Sequence, residues 1–452
     1  MRGGLNLVDP HAARPAAAPV TDAEVAARMA AFAPFEPAPG IAVAVSGGPD
    51  SLALTLLLQR WAAARGGRVY GVTLDHGLRP ESADEAAWVR DQLAAQGIPH
   101  STLTWRPGPD AHVTHAAARR ERYARLGAWC RGRGILHLAL AHHRDDQAET
   151  LLARIRMQTG PDGLAGMPAE RALRDVRLLR PLLDLPKARL EATLASLGQP
   201  WVADPMNTDP RYGRPQIRQC LPVLSAEGVT PERLAQFAHA MGRARRAMDA
   251  ARADLVARAV RLLPAGYAEV DPAAILAAPA PVGGAVLARV LRTVGGRAYT
   301  PRTARLARLL ADLYARPTRG RTLAGCRIVP RRGVWLILRE WARAPTVAVA
   351  PGEPLHYDGR FRAVVGETGG DMTLGPLGET GWAALAAADP ALRATAIPPP
   401  ARPALPALRD SAGICAVPGL GWRRDSTAPD LTFWAWSPAR GIAEGIFTVA
   451  PA

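Results

Sequence analysis

Along the first half of the chain, short unbroken apolar runs alternate with longer stretches of helical apolar spacing. Ile41–Val45 is a continuous apolar run closed by Ser46-Gly47-Gly48, the pattern of a strand buried on both faces. Ser51–Ala64 follows as an apolar-faced helix. Then come Val69–Leu74 (strand), Ser82–Gln96 (helix), Ser101–Trp105 (strand), Ala116–Arg131 (basic helix), Ile135–Ala141 (strand) and Asp145–Met157 (helix). This alternation predicts an α/β fold, a doubly wound, mostly parallel Rossmann-like sheet with ligands at the carboxyl ends of its strands. Upstream, Thr21 and Glu24 form a capping-box pattern that opens a helix from Asp22 to about Phe32, broken by Pro34, Pro37 and Pro39. Downstream, Leu178–Leu183 and Pro200–Val202 bracket a helix, Pro186–Leu197. A catalytic domain over 21–221 is expected, behind a flexible tail at 1–20.

After residue 221 the texture changes. Pro231–Leu263 has helical spacing with a dense arginine face (Arg243, Arg245, Arg246, Arg252, Arg258, Arg261), and Pro301–Tyr314 reads as a second basic helix. Residues 222–320 are therefore expected to form a basic helical domain. From 321 to 452, β-like runs at Cys326–Pro330, Val334–Arg339 and Val347–Ala350 predict a small α+β region. Pro398, Pro399, Pro400, Pro403 and Pro406 predict a stiff linker at 398–406. Apolar stretches such as Leu52–Leu58 fall far short of the roughly 20 residues a bilayer requires. Met1–Val20 is Ala/Pro-rich without a basic start and apolar core. No membrane partner and a cytoplasmic location are the expectations.

Charge sharpens this picture. The net charge is +16 over 452 residues, and Lys187 is the only lysine. GC-rich codon usage would account for arginine in place of lysine, but not for the surplus of base over acid. That surplus favours a polyanionic partner. A single lysine outside any Gly-Lys-Ser/Thr sequence excludes a Walker A loop. Cys130, Cys220, Cys326 and Cys415 lie far apart, which excludes a close-spaced zinc knuckle and argues against a disulfide framework.

Candidate chemistry gathers where strands end. Ser46-Gly47-Gly48-Pro49-Asp50-Ser51 joins a strand to a helix. Its glycines allow a tight turn and close approach to a ligand, and the helix N-terminus offers N–H groups to phosphate. Asp50 beside phosphate calls for a divalent cation such as Mg2+ between them. A capped turn with Pro49 in the first turn is the plain structural alternative. Leu74–Arg79 ends the next strand, and an ordinary loop would read the same way. His142-His143-Arg144-Asp145-Asp146-Gln147-Ala148-Glu149 opens a helix at another strand end. Asp146 and Glu149, three apart, share a helical face. A carboxylate there binds Mg2+ or takes a proton, and the histidines donate to phosphate. Acids in a first helical turn also stabilise it without any function, and the histidines lack the spacing of a helix-borne zinc pair. Gly163–Met167 and Asp204-Pro205-Met206-Asn207 are turn formers. Arg214 and Arg218 beyond them would face a carboxylate or an RNA phosphate.

As an ordered set, these motifs resemble the PP-loop ATP pyrophosphatases, whose loop reads S-G-G-x-D-S, and within that group the tRNA(Ile)-lysidine synthases. The resemblance rests on Ser46–Ser51, Asp75–Ser82, His142–Thr150, Gly163–Met167, Arg180–Leu183 and the spaced pattern from Asp204 to Arg218. It covers about residues 40–225 closely, and Thr322–Cys326 and Leu405–Gly421 loosely. Gln158-Thr159-Gly160, Met206 and Pro215 depart from the usual pattern, on the substrate side more than at ATP. The resemblance implies modification of the wobble cytidine of an isoleucine tRNA with a CAU anticodon. ATP adenylates the C2 oxygen with loss of pyrophosphate, and the ε-amine of free L-lysine then attacks C2 and expels AMP. It implies that Ser46, Gly47, Gly48, Pro49, Asp50 and Ser51 bind ATP, and that Asp50 and Asp146 hold Mg2+. His142 and His143 would line the phosphates, while Asp146 or Glu149 holds and deprotonates the lysine ammonium. Arg79, Arg214 and Arg218 are weaker candidates for phosphate or RNA contact. The basic helices and the C-terminal region would grip the tRNA. A thiolase of the same group would need paired or cluster-binding cysteines, and a glutamine-dependent synthetase a nucleophilic cysteine near the N-terminus. A non-enzymatic RNA-binding protein with an idle loop is opposed by intact Asp50, His142, Asp146 and Glu149.

Overall fold

The computed structural model describes residues 5–10, 17–75, 77, 82–106, 115–173, 175–203, 213–316, 318–366, 371–425, 428, 431–443, 445 and 447–449. The chain divides into two units, Met1–Ala247 with Gly445–Ala452, and Met248–Glu444. The first contains β1 (Leu7–Val8), α1 (Asp22–Ala30), β2 (Gly40–Ala44), α2 (Pro49–Ala63), β3 (Arg68–Asp75), α3 (Ser82–Ala95), β4 (His100–Thr104) and α4 (His115–Arg131). It continues with β5 (His137–Ala139), α5 (Arg144–Arg156), α6 (Pro161–Leu164), β6 (Glu170–Leu173), β7 (Val176–Leu179), α7 (Lys187–Ser196), β8 (Trp201–Val202), α8 (Gly213–Ala226) and the start of α9 (Pro231–Ala259). α1 opens with the expected capping box between Thr21 and Glu24.

Its main sheet runs β4-β3-β2-β5-β7-β6. All pairs are parallel except the last, where β6 lies antiparallel to β7. The alternation of side chains along β2 explains why the sheet is covered on both faces. Ile41, Val43 and Val45 pack with Met29 of α1, Leu57 of α2 and Leu190 of α7. Ala42 and Ala44 pack with Leu126 and Trp129 of α4. The chain winds from β2 through β3 to β4 on one side, then resumes at β5 on the other. The direction of winding therefore reverses between β2 and β5, the position where doubly wound sheets bind ligands.

The second unit holds β9 (Val260–Leu263), β10 (Tyr267–Val270), α10 (Pro272–Ala277), α11 (Ala280–Val294), α12 (Thr303–Ala315), β11 (Arg321–Leu323), β12 (Cys326–Arg331) and β13 (Val334–Arg339). After these come β14 (Val347–Val349), β15 (Pro354–Tyr357), β16 (Phe361–Val365), β17 (Met372–Pro376), α13 (Gly378–Ala388), β18 (Pro406–Asp410), β19 (Gly413–Val417), β20 (Trp422–Arg423) and β21 (Leu431–Trp436). Its sheets run β11-β12-β13-β10-β9, β14-β17-β18-β19-β20 and β15-β16-β21, all antiparallel. The apolar face of α11 (Val286, Val290, Val294) packs with Ile328, Trp335 and Ile337 of the first of these.

Four expectations change. Leu7–Val8 pairs with Trp201–Val202, so part of the expected tail is a strand. The helix expected to reach Leu263 ends at Ala259, and Val260–Leu263 becomes β9, paired across the turn at Gly266 with β10. That sheet joins β9 and β10 to β11–β13, so it straddles the boundary expected at 320. The proline-rich stretch is not a linker. Pro399–Ala404 forms a 3-10 helix in which Ala401, Pro403 and Ala404 are buried, and it runs into β18. All four cysteines are unbridged. Among the described residues, no helix is long and apolar enough to cross a membrane.

Candidate functional site

The site forms at the carboxyl ends of β2 and β5, neighbours at the reversal point. After Val45 the chain turns at Gly47, with φ +85°. A Cβ there would lie 3.0 Å from Val89 Cγ2, so glycine is required both by backbone angle and by space. The Gly47 carbonyl accepts from Val202 N–H at 2.9 Å. Ser51 Oγ donates to the Gly48 carbonyl at 3.0 Å and accepts from Ser46 N–H at 3.1 Å, so it shapes the loop. Ser46 itself is exposed. α2 starts at Pro49, and its N-cap, Gly48, has no side chain to bond the first N–H groups. Such an uncapped, electropositive helix start suits phosphate.

From the neighbouring strand, β5, the chain passes through Ala141, half-buried His142 and buried His143 into α5. His143 N–H donates to Asp146 Oδ2 at 3.1 Å. The His143 ring is the hub of the site: its Nε2 lies 3.6 Å from Asp50 Oδ2 and 3.5 Å from Asp146 Oδ2, and its Nδ1 lies 3.7 Å from Asp145 Oδ2. Burial favours the neutral ring, but the contact with Asp50 and the charges of Asp146, Asp50 and Asp145 outweigh it and hold its pKa above the usual value. One turn further along α5, buried Glu149 accepts from both Nε and Nη2 of Arg218 on α8, the latter at 3.5 Å. Burial opposes the Arg218 charge, and Glu149, Asp146 and Asp50 more than restore it. Asp50, His143, Asp146, Glu149 and Arg218 thus form one charged cluster.

Asp50 Oδ1 is buried and accepts no hydrogen bond among the described residues. A buried carboxylate oxygen without a donor calls for a cation. Among the described residues, no group of three or more His, Cys, Asp or Glu could hold a metal alone. Mg2+ needs only one or two carboxylates when phosphates complete its shell, and Asp50 with Asp146 fits that description.

Three surrounding motifs have structural explanations. Asp75, at the tip of β3, accepts from Ser82 Oγ at 2.7 Å, Gly77 N–H at 2.9 Å and Arg106 Nη2 at 2.9 Å. The Arg106 guanidinium first, then Ser82 and Gly77, lower its pKa to about 2. Gly163–Met167 is pinned to α5, where Gln147 exchanges two hydrogen bonds with the Met167 backbone, at 3.0 and 2.7 Å. Arg154 Nη1 donates to the carbonyls of Gly163 and Gly166. Arg180 Nη1 donates to the Pro168 carbonyl at 2.7 Å.

Arg106 escaped sequence reasoning, and Gln147, quoted in the His142–Glu149 motif, was given no role of its own, because single polar residues at a strand end or on a helix carry no spacing signal. Glu149 and Arg218 were singled out for separate roles and are partners. Arg79, His76 and Asp204–Asn207 lie outside the described residues. Arg214 is placed in α8 by its backbone alone.

A family model for the PP-loop domain matches residues 21–224. The tRNA(Ile)-lysidine synthase of Ruegeria pomeroyi is 36% identical over 404 residues, 88% of this chain and 94% of that protein. The tRNA(Ile)-lysidine synthase of Methylobacterium nodulans is 42% identical over 308 residues, 67% of this chain and 88% of that one. Among solved structures, the U34-tRNA thiolase NcsA from Methanococcus maripaludis aligns with a TM-score of 0.42 at 14% identity, over 49% of this chain and 77% of that chain. Carrying a PP-loop domain, and matched along 94% of a relative at 36% identity, the chain belongs to the tRNA(Ile)-lysidine synthase family of enzymes.

Proposed function

We propose that this enzyme joins free L-lysine to C2 of the wobble cytidine in a CAU-anticodon isoleucine tRNA, by way of an adenylated cytidine, releasing pyrophosphate and AMP. The observation that carries this reading is the convergence of Asp50, His143 and Asp146 beside the uncapped start of α2. In the first step the C2 carbonyl oxygen attacks the α-phosphorus of ATP and pyrophosphate leaves. The enzyme's part is positioning and charge neutralisation. The Ser46–Ser51 loop and the N–H groups of α2 hold the pyrophosphate moiety, and the His143 ring adds positive charge beside it. Asp50 and Asp146 would hold Mg2+, which when bound supplies further charge neutralisation at the phosphates.

In the second step the lysine ε-amine attacks C2 and AMP departs. Only the neutral amine is nucleophilic, so an ionised carboxylate must orient the ammonium and, as a base, accept its proton. Both oxygens of Glu149 are committed to Arg218, which favours Asp146 for this task and leaves Asp50 as the principal cation ligand. The basic second unit binds the tRNA body.

The test is incorporation of labelled lysine into a CAU-anticodon isoleucine tRNA transcript with ATP and Mg2+, with single omissions and the matching methionine tRNA as controls. Incorporation that requires every component and spares the methionine tRNA is expected. Pyrophosphate release from ATP without lysine incorporation would overturn the assignment in favour of another substrate. Asp50→Ala and Asp146→Ala should each reduce turnover by at least about 100-fold while tRNA affinity stays within about twofold. Near-normal turnover in either variant would remove that residue from the mechanism.

A further inference from the structure

β2 leaves the main sheet just before the Ser46–Ser51 loop. Its register with β3 ends at Ala44, opposite Val72, and Val45 N–H carries the pairing one bond further, to the Val72 carbonyl at 3.0 Å. The next peptide, Val45–Ser46, joins the sheet to the loop, and side-chain hydroxyls hold both of its polar groups. Ser51 Oγ accepts from the Ser46 N–H at 3.1 Å. From β3, the buried Thr73 donates its Oγ1 proton to the Val45 carbonyl at 2.9 Å. A side chain thus takes over from the ladder at the point where the strand turns into loop. The peptide is planar, so a Val45 carbonyl that turned away to find another donor would pull the Ser46 N–H off Ser51.

The arrangement continues one strand outward. A hydroxyl has a single proton, and a carbonyl can only accept it. His100 Nε2, 2.8 Å from Thr73 Oγ1, is therefore the donor of that pair, which fixes a proton on Nε2. Burial, with the charge of Arg90 adding to it, holds the His100 pKa below its usual value, so at neutral pH the ring is uncharged and its one N–H points at Thr73. The ring reaches Thr73 past Gly71, its partner in the β3–β4 register. A Cβ on Gly71 would lie 3.3 Å from His100 Cδ2, and a glycine inside a strand marks this kind of close approach.

We infer that Thr73 and His100 are positioning residues for ATP: the relay from His100 through Thr73 to the Val45 carbonyl sets the direction in which the Ser46–Ser51 loop and the start of α2 present their N–H groups to the phosphates. They act on ATP only through that loop. A loop held in place beforehand binds more tightly than one the ligand has to order. The inference rests on the reading of the Ser46–Ser51 loop as the ATP site and is independent of which nucleoside the enzyme modifies.

The test compares the full-length wild type with Thr73→Val, Thr73→Ser and His100→Leu. Equilibrium dialysis with labelled ATP and Mg2+ gives the Kd for ATP, and lysine incorporation gives KM for ATP, isoleucine tRNA and lysine. Thr73→Val keeps the shape but leaves the Val45 carbonyl without its donor, and should weaken ATP binding about 10-fold. His100→Leu removes the outer bond alone and should weaken it about threefold, while Thr73→Ser, which keeps the hydroxyl, should stay within about twofold of wild type. KM for tRNA and for lysine should move by less than about twofold in every variant. A merely structural role would lower the melting temperature and the active fraction and leave the Kd for ATP of the folded enzyme unchanged. That result, equal shifts in all three KM values, or a Thr73→Ser variant that binds ATP as weakly as Thr73→Val would each overturn the relay. Lysine incorporation separates this from the proposed function. A wild type that incorporates no lysine but binds ATP in a Thr73-dependent way loses the function and keeps the relay. An active wild type whose Kd for ATP is matched by Thr73→Val loses the relay alone, and a wild type that binds no ATP loses both.

Discussion

Asp75 closes β3 and Asp50 lies in the first turn of α2 after β2, and their partners separate their roles. Asp75 receives Ser82, Gly77 and Arg106, so it fixes the start of the segment after β3. Its pKa is lowered to about 2 from an ordinary 3.8, which means that the fold prefers its charged form. The stability it contributes is therefore complete above about pH 4 and lost as pH falls through 2. With Arg106 half-exposed, solvent screening reduces the effect, and Asp75→Asn should cost about 1–2 kcal/mol at neutral pH. Urea unfolding followed from pH 6 downward should show the gap between wild type and variant closing as pH 2 is approached. A gap that does not change with pH would make the contribution one of packing. Glu149 and Arg218 yield a second prediction of this kind. Arg218→Ala leaves a carboxylate buried without its partner and should destabilise the first unit by about 2–4 kcal/mol. Adding Glu149→Gln removes the stranded charge and should restore much of that loss. If the double variant is as unstable as the single one, the pair is not coupled.

At the scale of elements, strands buried on both faces were the easiest to read. Ile41–Val45 and Val69–Leu74 are almost purely apolar, a pattern a helix of a surface layer does not show. The meeting of Asp50 with His143 and Asp146 was legible only as far as both motifs follow strands. Their contact needed β2 and β5 to be neighbours, a fact of topology that no local pattern states. β9 was misread because Val260-Arg-Leu-Leu continues an apolar helical spacing with no Gly or Pro before it. The breakers, Pro264 and Gly266, come only after the strand. Proline content likewise misdirected the reading of 398–406, where Ala401 and Leu405 are buried in the second unit. A buried ion triad in that unit was equally invisible. Asp358 accepts from Arg339 at 2.9 and 3.0 Å and from Arg360 at 2.8 Å, joining β13 to the β15–β16 hairpin. Removing the acid strands two buried cations, so Asp358→Ala should destabilise the second unit by about 3–5 kcal/mol. A loss below about 1 kcal/mol in urea unfolding would mean that water or a rearrangement replaces it.

At the scale of the whole chain, the last residues belong to the first unit, and their contacts lead back to the site. Ala169 N–H donates to the Thr448 carbonyl at 2.9 Å. Thr448 Oγ1 accepts from Glu170 N–H at 2.7 Å and donates to the Glu170 carbonyl at 2.9 Å. These bonds fall at the start of β6, the edge strand of the main sheet, and give an otherwise open edge a partner. Phe447 is buried, with the Arg245 guanidinium 4.7 Å from its ring centre. Arg245 in turn donates to the Asp162 carbonyl at 2.8 Å, at the head of the Gly163–Met167 segment that Gln147 ties to α5. α5 carries Asp146 and Glu149 and begins directly after His143, so the C-terminal segment supports the site through a continuous set of contacts. Deleting residues 445–452 should cost the first unit about 2–4 kcal/mol, from the burial of one phenylalanine and three hydrogen bonds less the entropy of ordering the segment. Turnover at saturating substrates should fall although no site residue is touched. Phe447→Ala alone should give about half of the stability loss, since among the described residues of the segment it is the buried one. Protection of the Glu170 amide from hydrogen exchange, lost on deletion and retained in Phe447→Ala, would separate the strand contact from the ring contact. Full turnover in the deletion variant would show that the contacts from Phe447 to α5 carry no strain to the site.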